Sequence, residues 1–153
     1  MEKTNYFKWM LFFSQVVAHL SIIPMIMYGT WLHWIIAFFV YFMTGCFGMT
    51  MTFHRLLSHK SWNPPKWFYK FGTLCGFYGL TGSSIGWVAV HREHHHHTDK
   101  EGDPHSPRHH GFFKVQWLSM FETPKPKYAI HLIRDKFHMF LHRWYFQLHL
   151  LIA

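Results

Sequence analysis

The chain has 153 residues, with 15 Lys and Arg against 7 Asp and Glu, 16 His and a formal net charge of +8. That length allows one domain, residues 1–153. The basic residues are scattered and form no nucleic-acid-binding motif, so the positive balance reads as charge beside anionic lipid headgroups, with no nucleic-acid partner.

A mean hydropathy of −0.03 hides a sharp division. Residues 9–53 contain no Asp, Glu, Lys or Arg. As one helix, 45 residues would extend about 67 Å at about 1.5 Å per residue. A hydrocarbon core is about 30 Å thick and takes about 20 residues. Two crossings are therefore predicted, 9–28 and 31–53, with the break at Gly29-Thr30. Trp9, Tyr28, Trp31 and Trp34 fall near the predicted ends, where amphipathic rings favour the interface. Pro24 sits in the last turns of the first helix, which membrane helices tolerate. A hairpin buried in a soluble protein fits poorly, because too little polar chain remains to cover it. A cleaved signal peptide fits poorly too, because the apolar stretch continues into a second span. Lys3 and Lys8 precede the hairpin, and Arg55 and Lys60 follow it. The positive-inside bias then puts both flanks in the cytoplasm. Cys46 and Cys75 lack metal-ligand spacing, and a reduced setting is the simple reading.

The histidines begin where the hairpin ends: ten of the sixteen lie between 54 and 110. His54 and His59 are five residues apart, and on a continuing α-helix five steps of about 100° leave them about 140° apart. They would not share one narrow face, although they could serve neighbouring metals or converge if the helix ends between them. Residues 66–80 form an aromatic stretch with Lys66 and Lys70, suited either to the interface or to ordinary packing. His91, His94 and His95 stand at i, i+3 and i+4 and share a helical face. His96 and His97 point progressively off it. Asp99, Glu101 and Asp103 follow, and such carboxylates often accept the second imidazole N–H and orient a ligand. Imidazole is the common nitrogen ligand of iron, copper, zinc and nickel. The pattern suggests a multi-histidine metal site at a bilayer surface, in a region spanning 54–127. His19 and His33, inside the predicted spans, read as packing or interfacial residues.

The box His54-Arg55-Leu56-Leu57-Ser58-His59, then His91-x-x-His94-His95 followed by Asp103-Pro104-His105-Ser106-Pro107-Arg108, resembles the membrane fatty-acid desaturases. The likeness is greatest to the delta-9, stearoyl-type branch acting on acyl-CoA or acyl-lipids. Trp87, Gly111-Phe112-Phe113 and Trp117-Leu118 also look like that branch. The resemblance implies an all-α membrane bundle with cytoplasmic histidine-rich helices and a di-iron centre. It implies dioxygen as oxidant, an external electron donor (a ferredoxin or a b-type cytochrome) and a cis double bond placed in a saturated acyl chain. Carried over by position, His54, His59, His91, His94 and His95 match ligands to iron. Asp99, Asp103, His105 and His96 are expected to orient those ligands or pack around them.

One departure stands out. The family has a third histidine box after two further spans. Here residues 128–153 resemble only the approach to a third span, with ten residues from Trp144 to Ala153, about half of the roughly 20 needed for a crossing. His131, His138, His142 and His149, spaced 7, 4 and 7, read as one face of an amphipathic helix rather than a substitute box. The expectation is a truncated desaturase-like bundle whose iron site is incomplete. The alternatives are a catalytically inactive membrane fragment that associates with a complete desaturase, and a related histidine-box hydroxylase.

Overall fold

The computed structural model describes residues 2–151, and every regular element in that range is helical. Helix α1 (Glu2–Leu20) runs almost straight into α2 (Ile22–Tyr28), interrupted only at Ser21. Pro24 accounts for the interruption: it has no N–H to give the carbonyl four residues back, and its ring crowds that carbonyl. The ladder resumes around it, with Ser21 N–H on the Val17 carbonyl at 2.9 Å and Met25 N–H on the Ser21 carbonyl at 3.2 Å.

Gly29 and Thr30 break the helix, both in extended conformation. Thr30 then caps α3 (Trp31–Tyr41), and its own backbone N–H donates to His33 Nδ1 at 3.1 Å. His33 thus does the work that Glu or Gln does in the usual capping box, which explains a histidine inside an apolar helix. The apolar helical stretches Tyr6–Tyr28 and Trp31–Ser58 are each long and apolar enough to cross a membrane. No residue of α2 or α3 is buried.

The second long helix changes its winding partway along. From Phe42 to Ser58 it is a π-helix of 17 residues, far longer than the single-turn bulges in which this i→i+5 pattern usually occurs. Hydroxyl side chains follow the same period: Thr52 Oγ1 donates to the Phe47 carbonyl at 2.7 Å and Ser58 Oγ to the Phe53 carbonyl at 2.8 Å. This overturns the 3.6-residue reading of the box that follows. Residues five apart are neighbours along a π-helix, so His54 and His59 lie on one face rather than about 140° apart.

Helix α4 (Lys66–Phe77) packs antiparallel on the π-helical segment through small residues. A Cβ on Gly48 would stand 2.3 Å from the Gly76 nitrogen, and one on Gly76 would stand 2.5 Å from the Phe53 ring. Bare backbone therefore lets the two helices touch. Helix α5 (Ser84–His97) comes next, its first turn capped by Ser83, whose hydroxyl accepts the Gly86 N–H at 3.3 Å. The short helices α6 (Pro107–His110) and α7 (Phe112–Leu118) follow.

The C-terminal segment is divided among α8 (Ile130–Ile133), α9 (Lys136–Arg143) and α10 (Tyr145–Leu150). The single amphipathic helix expected for the last four histidines is thus broken twice. Asp135 ends one piece and caps the next, accepting the Phe137 N–H at 2.8 Å, and Trp144 makes the second break. All four histidines nevertheless bond to other parts of the bundle. His131 Nε2 lies 3.2 Å from the Leu57 carbonyl and His149 Nε2 lies 3.1 Å from that of Phe77. His142 Nδ1 is 2.6 Å from Ser83 Oγ. His138, fully buried, sits between Ser84 Oγ at 2.7 Å and Tyr69 Oη at 2.6 Å. Beneath the histidine-bearing ends lies a core of Phe53, Leu56, Leu57, Ile85, Val88, Ala89, Ala129 and Leu132.

Candidate metal centre

Four imidazoles converge where the π-helical segment meets α5. One ring nitrogen from each of His54, His59, His91 and His95 lies within 4.8 Å of all the others. The Nε2 atoms approach pairwise: 3.2 Å between His54 and His59, 3.3 Å between His59 and His91, and 3.1 Å between His91 and His95. Two nitrogens each bonded to one metal at about 2.0–2.1 Å stand roughly 3.0–3.4 Å apart, so the donor set fits a single ion. The two pairs reach the site by different periods. His91 and His95 are one α-turn apart, whereas His54 and His59 are one π-turn apart.

The electrostatics suit metal ligation. Burial, reinforced by His95, His54, His59 and His94, pushes the His91 imidazole down to about 3. His59 is also lowered, by burial first and then by His54, His95 and Arg92. Rings that resist protonation keep a lone pair free at neutral pH, the form that binds metal. Trp87 stacks on His91, with centroids 4.6 Å apart and planes 17° apart, and holds that ring in place.

His94 stands outside the four-nitrogen group. Its Nδ1 faces the buried Asp103 carboxylate, 2.8 Å from Oδ1 and 3.0 Å from Oδ2, which leaves Nε2 as its free donor. Burial raises the Asp103 carboxyl, but hydrogen bonds from the His105 N–H, the His94 ring and the Asp99 N–H outweigh it and bring the group below its ordinary value. Both backbone bonds are 2.8 Å. Asp99 meets no imidazole through its carboxylate; Oδ1 accepts from Ser106 Oγ at 2.8 Å. The His105 ring lies 6.1 Å from that of His94, and burial first, then His94, lowers its affinity for a proton. His96 is exposed, its ring 4.7 Å from His97 and 6.0 Å from Tyr128.

Replacing Asp103 with alanine is expected to lower stability by about 1–3 kcal/mol per stranded donor. It leaves two backbone N–H groups and the His94 ring without an acceptor. Thermal unfolding measures the loss, and the ¹⁵N shifts of His94 report the freed tautomer.

Sequence reading passed over Arg92. Its guanidinium meets the carbonyls of Leu57, Ser58 and Tyr128. The available signal was its place inside the second box, one residue after His91 and three before His95.

Among the described residues, fold and cluster together define a class: an all-helical protein with two long apolar helices and a four-histidine cluster at the end of the second. Comparison with known proteins gives the family. The chain is 36% identical over 137 residues to the sn-1 stearoyl-lipid 9-desaturase of Synechocystis, covering 84% of this chain and 42% of that protein. It is 42% identical over 94 residues to delta-9 acyl-lipid desaturase 1 of Arabidopsis thaliana, covering 61% of this chain and 30% of that protein. Against the acyl-CoA C20 delta5-desaturase of Anemone leveillei it is 34% identical over 124 residues, 74% of this chain and 38% of that protein. The chain belongs to the membrane fatty-acid desaturase family. It spans less than half the length of these curated relatives. No family model matches it, and no solved structure matches it.

Proposed function

We propose that this chain serves oxygen-dependent fatty-acid desaturation, the placing of a cis double bond, delta-9 by kinship, in a saturated acyl chain. The observation that carries this reading is the convergence of His54, His59, His91 and His95 on one point. In it, those four residues would hold an iron ion, and His94, oriented by Asp103, would offer Nε2 to a second. Iron bound there would supply the oxidising power, drawn from dioxygen and two electrons, that removes hydrogen from adjacent methylenes. Those electrons come from a separate ferredoxin or b-type cytochrome.

The chain's own residues would position substrate and exclude water. A cavity of about 520 Å³ lies between α1, residues 79–83 and the start of α5, walled by Leu11, Leu80, Trp87, Val90 and Met120 among others. That is within the range of about 300–1,000 Å³ usual for small-molecule sites. Trp87 joins it to the cluster, lining the cavity and stacking on His91. Relatives named for acyl-lipid and for acyl-CoA substrates both occur, so either carrier of the acyl chain fits. In this reading Tyr6–Tyr28 and Trp31–Ser58 cross the bilayer and the histidines face the cytoplasm.

Split complementation tests the proposal. The chain is co-expressed, in a host lacking desaturase, with the portion of the Synechocystis relative that it does not match. New monounsaturated chains on gas chromatography, absent when His91 is alanine, are the expected result. No unsaturation from the pair, in a host where the intact relative works, would overturn it.

A further inference from the structure

We propose that Arg92 is the positioning residue that sets the register between the two histidine pairs. The inference rests on the metal-binding reading above and concerns how this chain assembles that site. His54 and His59 belong to the π-helical segment and its end, and His91 and His95 to α5. These two elements are joined by a long stretch of chain, so nothing covalent fixes their relative height.

Arg92 supplies a direct tie. Its Nε donates to the Ser58 carbonyl at 2.8 Å and its Nη2 to the Leu57 carbonyl at 3.0 Å. Its Nη1 donates to the Tyr128 carbonyl at 3.1 Å and lies 3.4 Å from His131 Nδ1. Leu57 and Ser58 are the last residues of the π-helical segment, where carbonyls run out of partners along the helix and the peptide dipoles end negative. A planar cation with five donors in a fixed fork matches several such carbonyls at once, which an ammonium at the end of a flexible stem does not.

The placement gives these bonds their consequence. Ser58 immediately precedes His59, and Arg92 immediately follows His91. One guanidinium therefore links the backbone beside one candidate ligand to the turn carrying two others. His131 adds a second brace by approaching the same Leu57 carbonyl at 3.2 Å. Next to Arg92, the buried Glu93 pairs with Lys125 and gives α5 a second anchor. That pair offers a control: it holds the same helix without reaching the end of the π-helical segment.

The test uses the full chain in detergent with Co(II) as the probe. Site binding is the Co(II) absorption that disappears when His54 and His91 are both changed to alanine, which subtracts the remaining histidines. Arg92→Gln is expected to weaken that binding by about 10–100-fold, the usual consequence of losing an outer partner of a metal site. It should also alter the Co(II) band shape while helix content by circular dichroism stays at the wild-type level. Arg92→Lys, which keeps the charge and loses the fork, should recover only part of the affinity, and Lys125→Gln should leave it unchanged. Wild-type Co(II) binding in Arg92→Gln would overturn the proposal, and so would loss of helix in both Arg92 variants, which would make the residue a support of the fold. Absence of the subtracted signal in the wild type would instead overturn the metal-binding reading, and this inference with it.

Discussion

Changing His91 to alanine is expected to abolish metal binding at the four-histidine centre. His91 is the ring through which the two pairs meet, with Nε2 3.3 Å from His59 Nε2 on one side and 3.1 Å from His95 Nε2 on the other. Its centroid is also 4.7 Å from that of His54. Removing it deletes one of the four ligands outright, so the loss should exceed the roughly 10–100-fold typical of an outer partner. The fold should survive, because His91 is only half-buried and the core beneath it is carried by Phe53, Val88 and Ala89. His96→Ala is the matched control, since that ring is exposed and lies outside the converging group. Equilibrium titration with Fe(II) measures the difference, with helix content followed in parallel. Equal affinities for the wild type and His91→Ala would show that the four rings are neighbours without being a site.

Much of this arrangement is legible in the residues, and the parts that are not share a cause. The charge-free run and the Gly29-Thr30 break lead directly to the two long apolar helices, because composition and turn chemistry act locally. The approach of His91 to His95 follows from α-helical spacing. The approach of His54 to His59 does not, because the winding of the helix carrying them is not α. Thr52 and Ser58 hold the retrospective clue, hydroxyls placed five residues after the carbonyls that they meet, yet that spacing is ambiguous before the period is known. Arg92 was hidden for a related reason. Its partners are backbone carbonyls, which carry no mark in sequence, whereas Asp103 could be suspected because a carboxylate beside a histidine box has an evident use. The C-terminal histidines show a further limit. Their spacing on one helical face is readable, but the breaks at Asp135 and Trp144 that turn each ring toward a different partner are not.

Placing arginine at Val40 is expected to remove the chain from the membrane. Val40 is 52% exposed in α3, amid a run of equally open apolar side chains that includes Phe38, Phe39 and Tyr41. Two environments would account for that openness, and they respond oppositely to a charge. If water covers the face, an exposed Val→Arg change is nearly neutral, within about 0.5 kcal/mol. If hydrocarbon covers it, a position near the middle of the span 31–53 charges about 2.5–3.5 kcal/mol for arginine. At about 1.4 kcal/mol per tenfold, that is a shift of roughly a hundredfold away from insertion. Val40→Leu, which keeps the apolar face, should insert as the wild type does. Alkaline carbonate extraction separates integral from peripheral chain, and protease protection of the 29–30 turn reports whether the hairpin has crossed. A Val40→Arg chain that stays in the integral fraction with its turn protected would mean that this face meets something other than lipid. The proposal that Trp31–Ser58 crosses a bilayer would then fall.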